Sequence, residues 1–282
     1  MCSLPLLHRI CRESYSEPRA VYEVLKRRGM TLVTVTDHDS IDAAESLRSH
    51  PDFFLSEEVT CTMPSGTEAH VGVYDINERQ HAEIQRRRND VPSLAAYLHE
   101  QELFFSINHV FSALTGARHV SDFHWFEEAV PAVETLNGAM PQLHNIWAAR
   151  FAVANRKAPV GGSDAHALFS LGSAFTEVPG ARNKEEFVAG LRSRRARVCG
   201  ESGSYLRLTR AVLCAGGGMI RERWATLWLA PLAVLVPLVT LAYHGLERRF
   251  ALQWIHRVAS DRAIRAERVS RHPRKLTGGA PA

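Results

Sequence analysis

Several side chains that could bind metals or transfer protons stand at the ends of apolar runs in this sequence. For example, Asp37 and His38 directly follow the β-branched run TLVTVT (31–36). The full set of such residues is Asp37, His38, Glu58, His109, Asp164 and His166. Mixed imidazole and carboxylate ligands suit Zn²⁺, Mn²⁺ or Fe²⁺, whereas an all-oxygen set would favour Mg²⁺. This pattern predicts a site for more than one metal ion.

In residues 1–200 the sequence pattern alternates between strands and helices. This alternation predicts a largely parallel α/β architecture. In α/β barrels the C-terminal ends of the strands meet at one face, so residues that are distant in sequence converge there. A single histidine after a strand is more often an ordinary polar residue than a ligand. Several such residues in succession indicate a site, and six other histidines fit no motif: His50, His81, His99, His119, His124 and His144.

The motifs around these residues resemble those of a known superfamily. They are TDHD (36–39), SEEVT (56–60), EAHVGVY (68–74), INHV (107–110), ETLNG (134–138) and GGSDAH (161–166). In this order they are similar to the polymerase and histidinol phosphatase (PHP) superfamily. The resemblance covers roughly residues 1–200. It implies a distorted (β/α)7 barrel and two or three divalent ions (Zn, Mn or Fe) that support hydrolysis of a phosphate ester.

The resemblance also implies roles for individual residues. Glu58, which directly precedes a β-branched residue, matches the bridging carboxylate better than Glu57 does. The expected metal ligands are His8, Glu13, His38, Glu58, His70, His109, Asp164 and His166. Asp37 is expected to orient a ligand or a water from behind the metal ligands. The expected reaction is in-line attack on phosphorus by water activated at the metals, with His166 or a bound water protonating the leaving alcohol.

The start of the chain departs from the family pattern. Counting backwards from Pro18, the family's first His-x-His motif falls on Leu6 and His8, and leucine cannot bind a metal. This departure leaves two hypotheses. One is an active phosphoesterase that acts on a phosphorylated small molecule or nucleotide. The other is a catalytically impaired, membrane-tethered PHP fold that serves as a binding or regulatory module.

Charge and cysteine content suggest two segments with different surroundings. The 282 residues carry a net charge of +4, but residues 181–282 hold 19 of the 34 Lys and Arg and only 7 of the 30 Asp and Glu. The five cysteines are scattered and form no C-x-x-C pair, which favours free thiols in a reducing compartment. The first 18 residues lack the charged region of a signal peptide, which predicts a cytoplasmic first domain.

The strongest membrane signal lies late in the chain. Residues 224–246 are 23 residues without Asp, Glu, Lys or Arg, and a spanning helix needs roughly 20 apolar residues. Aromatic residues and arginines flank the segment, as at membrane interfaces. A buried hairpin of a soluble domain is the alternative. We predict a catalytic domain (1–200), a linker (201–223), a transmembrane helix (224–246) and a basic tail (247–282), with the domain anchored to the membrane on its cytoplasmic side.

The basic tail admits a nucleic-acid interpretation, because clustered cations neutralise phosphates. No interleaved aromatic residues or DNA-binding motif accompany the arginines. Next to an uncharged stretch, the tail is better explained as a juxtamembrane segment attracted to anionic lipid. A nucleic-acid partner is therefore not expected.

Overall fold

The computed structural model describes residues 14–271, the last six by backbone alone, and shows a mixed α/β fold. Its strands are β1 (Ser56–Thr62), β2 (Glu68–Tyr74), β3 (Phe104–Ile107), β4 (Ala132–Asn137), β5 (Ala158–Gly162), β6 (Ala174–Glu177) and β7 (Arg197–Gly200). Its helices are α1 (Pro18–Arg27), α2 (Asp42–Glu45), α3 (Glu78–Arg87), α4 (Val91–Glu100), α5 (Val120–Ala129), α6 (Gln142–Ala154), α7 (Lys184–Arg192), α8 (Tyr205–Glu222) and α9 (Val236–Arg271). Two 3-10 helices are Leu168–Ser170 and Trp224–Leu235. The predicted α/β class is confirmed.

The main sheet has five strands in the order β1-β2-β3-β4-β5 and is mixed in direction. β2 runs antiparallel to both β1 and β3, whereas β3, β4 and β5 are parallel. The prediction of a largely parallel sheet is therefore wrong for the first two pairings. Residues 63–67 connect β1 to β2, and a parallel crossover needs a dozen residues or more, so this connection forces a hairpin.

The predicted (β/α)7 barrel is not observed in residues 14–271, because no closed sheet forms there. β6 and β7 form a separate antiparallel pair. The predicted strand 31–36 is not formed: Val33 makes one isolated parallel bridge with Phe53, and beyond the segment His38 makes another with Glu58. Closure of a barrel requires continuous ladders around the whole sheet, and these two bridges do not make one.

Local sequence signals explain the ends of several helices. Pro18 stands at the first position of α1, where a missing N–H costs nothing, and Gly29 follows the helix with φ +85°. Asn77 and Gln80 form a reciprocal capping box at the start of α3. The predicted last helix of the first domain, 183–194, corresponds to α7, whose first turn is capped by Asn183.

From Tyr205 to Arg271 the chain is almost entirely helical. The segment predicted as a linker contains α8, and the described part of the predicted basic tail, residues 247–271, continues α9. Four buried residues of α9 belong to the same hydrophobic core as the main sheet: Ala251, Trp254, Ile255 and Val258. The helical run Trp224–Arg265 is the one stretch of the described residues that is long and apolar enough to cross a membrane.

Candidate metal centre

One edge of the main sheet collects the candidate ligands. His109 follows the C-terminal end of β3, and Asp164 follows that of β5. His70 lies near the start of β2, but β2 is antiparallel to its neighbours, so its start lies at the same edge. The backbone N–H of Asn108 donates to the carbonyl oxygen of His70 over 2.9 Å, which fixes β2 beside the segment that carries His109.

Four of the predicted ligands form one cluster. Glu58 is its centre: Glu58 Oε2 lies 3.5 Å from His38 Nε2, and Glu58 Oε1 lies 3.7 Å from His70 Nδ1 and 3.6 Å from His109 Nε2. His38, Glu58 and His70 each present one ligand atom within 4.8 Å of the others. His70 Nδ1 and His109 Nε2 are 2.8 Å apart. Nitrogens and oxygens from four separate segments therefore point at one small volume.

The two adjacent glutamates of β1 point in opposite directions. Glu57 is fully buried, and its Oε2 accepts hydrogen bonds from His81 Nδ1 and Gln85 Nε2 of α3, each over 2.8 Å. Glu58 points to the cluster, where Asn108 Nδ2 donates to its Oε1 over 2.9 Å. Alternation of side chains along a strand produces this separation. Of the two, only Glu58 is placed to bind a metal in the cluster.

The loop after β3 holds His109 firmly. His109 has φ +32°, an unusual value for a residue with a side chain, and its backbone N–H donates to Glu134 Oε2 over 2.9 Å. The same oxygen lies 3.3 Å from His109 Nδ1. Burial lowers the pKa of His109, but Glu134 and Glu58 outweigh burial and raise it to about 9. This carboxylate contact leaves Nε2 directed at Glu58 and His70.

His70 has the opposite electrostatic balance. Burial lowers its pKa, the contact with Glu68 opposes that shift, and the neighbouring His109 adds to the lowering. A lowered pKa favours the neutral imidazole, which is the form that binds metals. His70 is therefore prepared as a ligand by its surroundings.

The second predicted pair, Asp164 and His166, lies at the end of β5. Asp164 has φ +43°, and its Oδ1 lies 3.6 Å from His166 Nδ1. Burial raises the pKa of Asp164, but His166, His109 and a hydrogen bond from Asn137 outweigh burial and lower it. Asn137 Nδ2 donates to Asp164 Oδ2 over 3.1 Å and to Glu134 Oε1 over 3.0 Å. One amide thus connects this pair to the His109 segment.

The remaining predicted residues are placed as follows. The backbone carbonyl of Asp37 accepts from the Glu58 N–H over 3.1 Å, so Asp37 adjoins the cluster, with an exposed side chain. Asp39 of the TDHD motif turns away from the cluster: it pairs with Arg88 and accepts from the Thr60 N–H. The predicted ligands His8 and Glu13, like Leu6, lie outside the described residues.

Asn108 and Glu134, for which the sequence predicts no role, organise the centre together with Asn137. Glu134 and Asn137 lie in the ETLNG motif, and the resemblance implies no function for the glutamate. A buried carboxylate inside the apolar run AVETL was the available signal. Asn137 is buried, and its side-chain amide donates to both Glu134 and Asp164 of the centre.

The residues present fit a divalent cation. The buried carboxylate of Glu58 lies among three histidines, and the paired nitrogens of His70 and His109 face each other at 2.8 Å. A cation bound there would attract every one of these atoms, and Glu134 would act as the partner that fixes the ring of a ligating histidine. The histidine and carboxylate set suits Zn²⁺, Mn²⁺ or Fe²⁺.

Comparison with known proteins finds one family model and several similar structures. The family model described as PHP-associated matches residues 142–196. The structure of PsfC from Pseudomonas syringae PB-5123 is similar to this one, with TM-score 0.54 and 14% sequence identity over 75% of this chain and 94% of that chain. This likeness supports the fold. None of the curated proteins matches the chain.

Two further structures are more distant. One comes from Bifidobacterium adolescentis and is assigned as a metal-dependent phosphoesterase, with TM-score 0.40 and 12% identity over 66% of this chain and 92% of that chain. The other is an amidohydrolase from Chromobacterium violaceum with bound sulfate, with TM-score 0.44 and 14% identity over 66% of this chain and 93% of that chain.

Proposed function

We propose, with support from the match of residues 142–196 to the PHP-associated family model, that the chain is a metal-dependent hydrolase that cleaves a phosphate ester. The observation that carries this proposal is the convergence of His38, Glu58, His70 and His109 on one volume at the sheet edge. A phosphorylated small molecule or a nucleotide is the proposed substrate class, and two or three ions of Zn, Mn or Fe are the proposed cofactors.

In this proposal His38, Glu58, His70 and His109 hold one metal, and Asp164 and His166, with His8 and Glu13, hold the others. The bound metals supply a neutralising charge for the phosphoryl group and a lowered pKa for a water molecule. The protein residues position these ligands: Glu134 orients His109, and Asn108 orients Glu58. Asn137 donates a hydrogen bond to Asp164 and so holds its side chain beside the first cluster.

Proton transfer to the leaving group is proposed for His166. Its side chain is 30% exposed, so it can reach both the centre and a substrate that enters from solvent. Ser14 donates to the backbone carbonyl of His166 over 3.5 Å, and this contact steadies the segment that carries the imidazole. The exposed residue Asp37 is proposed to orient a ligand or a water at the same centre.

The test combines metal analysis with a hydrolysis assay on the full chain. We expect bound Zn, Mn or Fe and metal-dependent turnover of phosphomonoesters or diesters, and Asp164→Ala should abolish the turnover. His256→Ala, which changes an exposed histidine of α9, should leave both measurements unchanged. If the chain bound no metal and turned over no substrate of the panel, the proposal would be overturned. Bound metal without turnover would favour the binding or regulatory module.

We also propose that the domain lies on the cytoplasmic side of a membrane and is held there through residues 224–246. Support comes from the apolar character of the helical run Trp224–Arg265 and from the arginines at both ends of the uncharged segment. Flotation of the full chain with vesicles of phosphatidylcholine and phosphatidylglycerol tests this association. A chain that stays at the bottom of the gradient would refute it.

A further inference from the structure

Residues 224–246 present an unusually large number of exposed apolar side chains. Trp224 and Trp228 are each 75% exposed, and of the whole segment only Thr226 and Thr240 are buried. We call the following exposed set the apolar face: Trp224, Leu227, Trp228, Leu232, Val234, Leu235, Leu238, Val239, Leu241 and Leu246. Soluble proteins rarely leave this much apolar surface in contact with water, so the apolar face requires an occupant.

The charges around the apolar face indicate that the occupant is an anionic lipid bilayer. Arg221 and Arg223 precede the segment, Arg248 and Arg249 follow it, and all four are exposed. Arginines placed beside an apolar surface pair with anionic headgroups, and tryptophans sit at the headgroup level. An apolar protein partner would not require cations at both ends.

The chain before the apolar face is attached to the catalytic domain along α8. Near the start of α8, Arg207 Nη1 donates to the carbonyl of Gly138 over 3.3 Å. Farther along, the Arg210 guanidinium lies 4.1 Å above the ring of Phe169. Near its end, the backbone at Gly218 rests on Tyr15, since a Cβ at Gly218 would lie only 2.6 Å from the Tyr15 Cγ. Contacts with the domain therefore continue to within a few residues of Trp224.

The chain after the apolar face is attached to the same domain. Thr240 Oγ1 lies 2.7 Å from Thr209 Oγ1 of α8, and Glu247 Oε2 lies 3.0 Å from His144 Nε2 of α6. The Tyr205 hydroxyl donates to the carbonyl of Pro237 over 3.0 Å. From Pro237 onward, α9 therefore runs against the domain and the base of α8.

From these contacts we infer that the apolar face enters one leaflet of an anionic bilayer and returns on the same side, without crossing it. A spanning helix would place Glu222 and Glu247 on opposite sides of the bilayer. The segments before and after the apolar face, however, both pack on the same domain. Between these flanks, residues 224–236 are about 20–26 Å long at 1.5–2.0 Å per residue, which is less than the roughly 30 Å of hydrocarbon. This inference rests on the membrane association proposed above and is independent of hydrolysis.

The contact would also hold the candidate metal centre close to the lipid surface. Tyr15, on which α8 rests, adjoins Ser14, and Ser14 contacts the carbonyl of His166. α8 therefore passes beside the segment that carries a proposed catalytic residue.

The test measures the side on which each flank lies. The full chain, with its five cysteines replaced by serine, carries a single reporter introduced as Arg221→Cys or Arg249→Cys and is bound to sealed phosphatidylcholine and phosphatidylglycerol vesicles (3:1). A membrane-impermeant maleimide is added outside. We expect both reporters to react equally with and without detergent. Protection of one reporter until detergent is added would show a spanning helix and overturn the inference.

Variants of the apolar face identify the occupant. Trp224→Glu and Trp228→Glu should each weaken vesicle binding on the order of tenfold, because each places a charge in the leaflet. Val153→Glu, at an exposed apolar residue of α6 away from the face, is the matched control and should bind as the original chain does. The chain could instead form a dimer in solution that these tryptophan variants dissociate, and fail to bind vesicles. That result would assign the apolar face to a second copy of the chain and refute both membrane proposals. Metal content is measured on the same samples. A variant that keeps its metal but binds vesicles weakly has lost membrane binding and not its fold.

Discussion

The carboxylate of Glu134 accepts the backbone N–H of His109 over 2.9 Å and lies 3.3 Å from the same residue's Nδ1. One oxygen, Oε2, therefore restrains both the main chain and the ring of a candidate ligand. Since His109 has φ +32°, its loop needs such a restraint. Glu134 thus acts on the centre through His109.

Substitution of Glu134 should therefore weaken metal binding without removing a ligand. We expect Glu134→Gln to lower the affinity for Zn²⁺ or Mn²⁺ about 10–100-fold, the usual effect of losing the partner of a ligating histidine. Competition with a chromophoric chelator measures the affinity. Glu128→Gln, at an exposed glutamate of α5, is the control. Equal affinities for the two variants would show that Glu134 has no part in positioning His109.

The adjacent glutamates of β1 offer a second comparison. Glu58→Gln should remove most metal binding, because its carboxylate is the centre of the cluster. Glu57→Gln should keep the metal but lower the stability of the fold by about 1–3 kcal/mol, since Glu57 is buried with His81 and Gln85 as partners. Metal analysis and urea denaturation separate the two effects. Loss of metal in Glu57→Gln, with the fold intact, would contradict this assignment.

The buried pair Glu247–His144 should make stability depend on pH. Burial raises the pKa of Glu247, but the hydrogen bond from His144 outweighs burial and lowers it below its usual value. A carboxyl whose pKa is lowered by folding stabilises the protein above its unfolded pKa of about 4.3. That contribution is lost as pH falls through the lower folded value.

Glu247→Gln should accordingly destabilise the fold near pH 7 by about 2 kcal/mol, and the difference from the original chain should shrink at pH 4 and below. Urea denaturation at several pH values checks the effect. Glu100→Gln, at an exposed glutamate of α4, should show no such trend. A destabilisation that stays constant from pH 7 to pH 3 would argue against an ionised Glu247.

Two tryptophans test whether the chain after residue 246 belongs to the domain. Trp254 is 3% exposed and stacks on Phe123 with ring centroids 5.6 Å apart, so Trp254→Ala should cost about 3–5 kcal/mol. Trp224 is 75% exposed, and in detergent-free buffer Trp224→Ala should change stability by less than about 0.5 kcal/mol. Denaturation curves for the two variants measure this contrast. Equal, small effects would show that α9 does not pack into the core.

Much of the candidate centre could be predicted from the sequence. His38, Glu58, His70, His109, Asp164 and His166 lie at or near the predicted sheet edge. Their order and their positions after apolar runs are properties of the chain itself. The resemblance also favoured Glu58 over Glu57, because Glu58 directly precedes a β-branched residue.

The supporting residues were harder to predict. Asn108, Glu134 and Asn137 act by contacting other side chains of the centre, and their own neighbours in sequence do not specify those contacts. The direction of β2 depended on the short connection 63–67, and the strand expected at 31–36 depended on pairing partners that a local pattern does not identify.

The sequence by itself determined which residue types could bind metal, the order in which they occur, and the presence of an uncharged segment at 224–246 between arginines. These features are local, so composition and spacing reveal them. Only the tertiary structure decided that Glu134 restrains His109, that α9 enters the core through Trp254, and that both flanks of the uncharged segment rest on one domain. Each of these depends on contacts between residues far apart in the chain, which folding creates and no local pattern encodes.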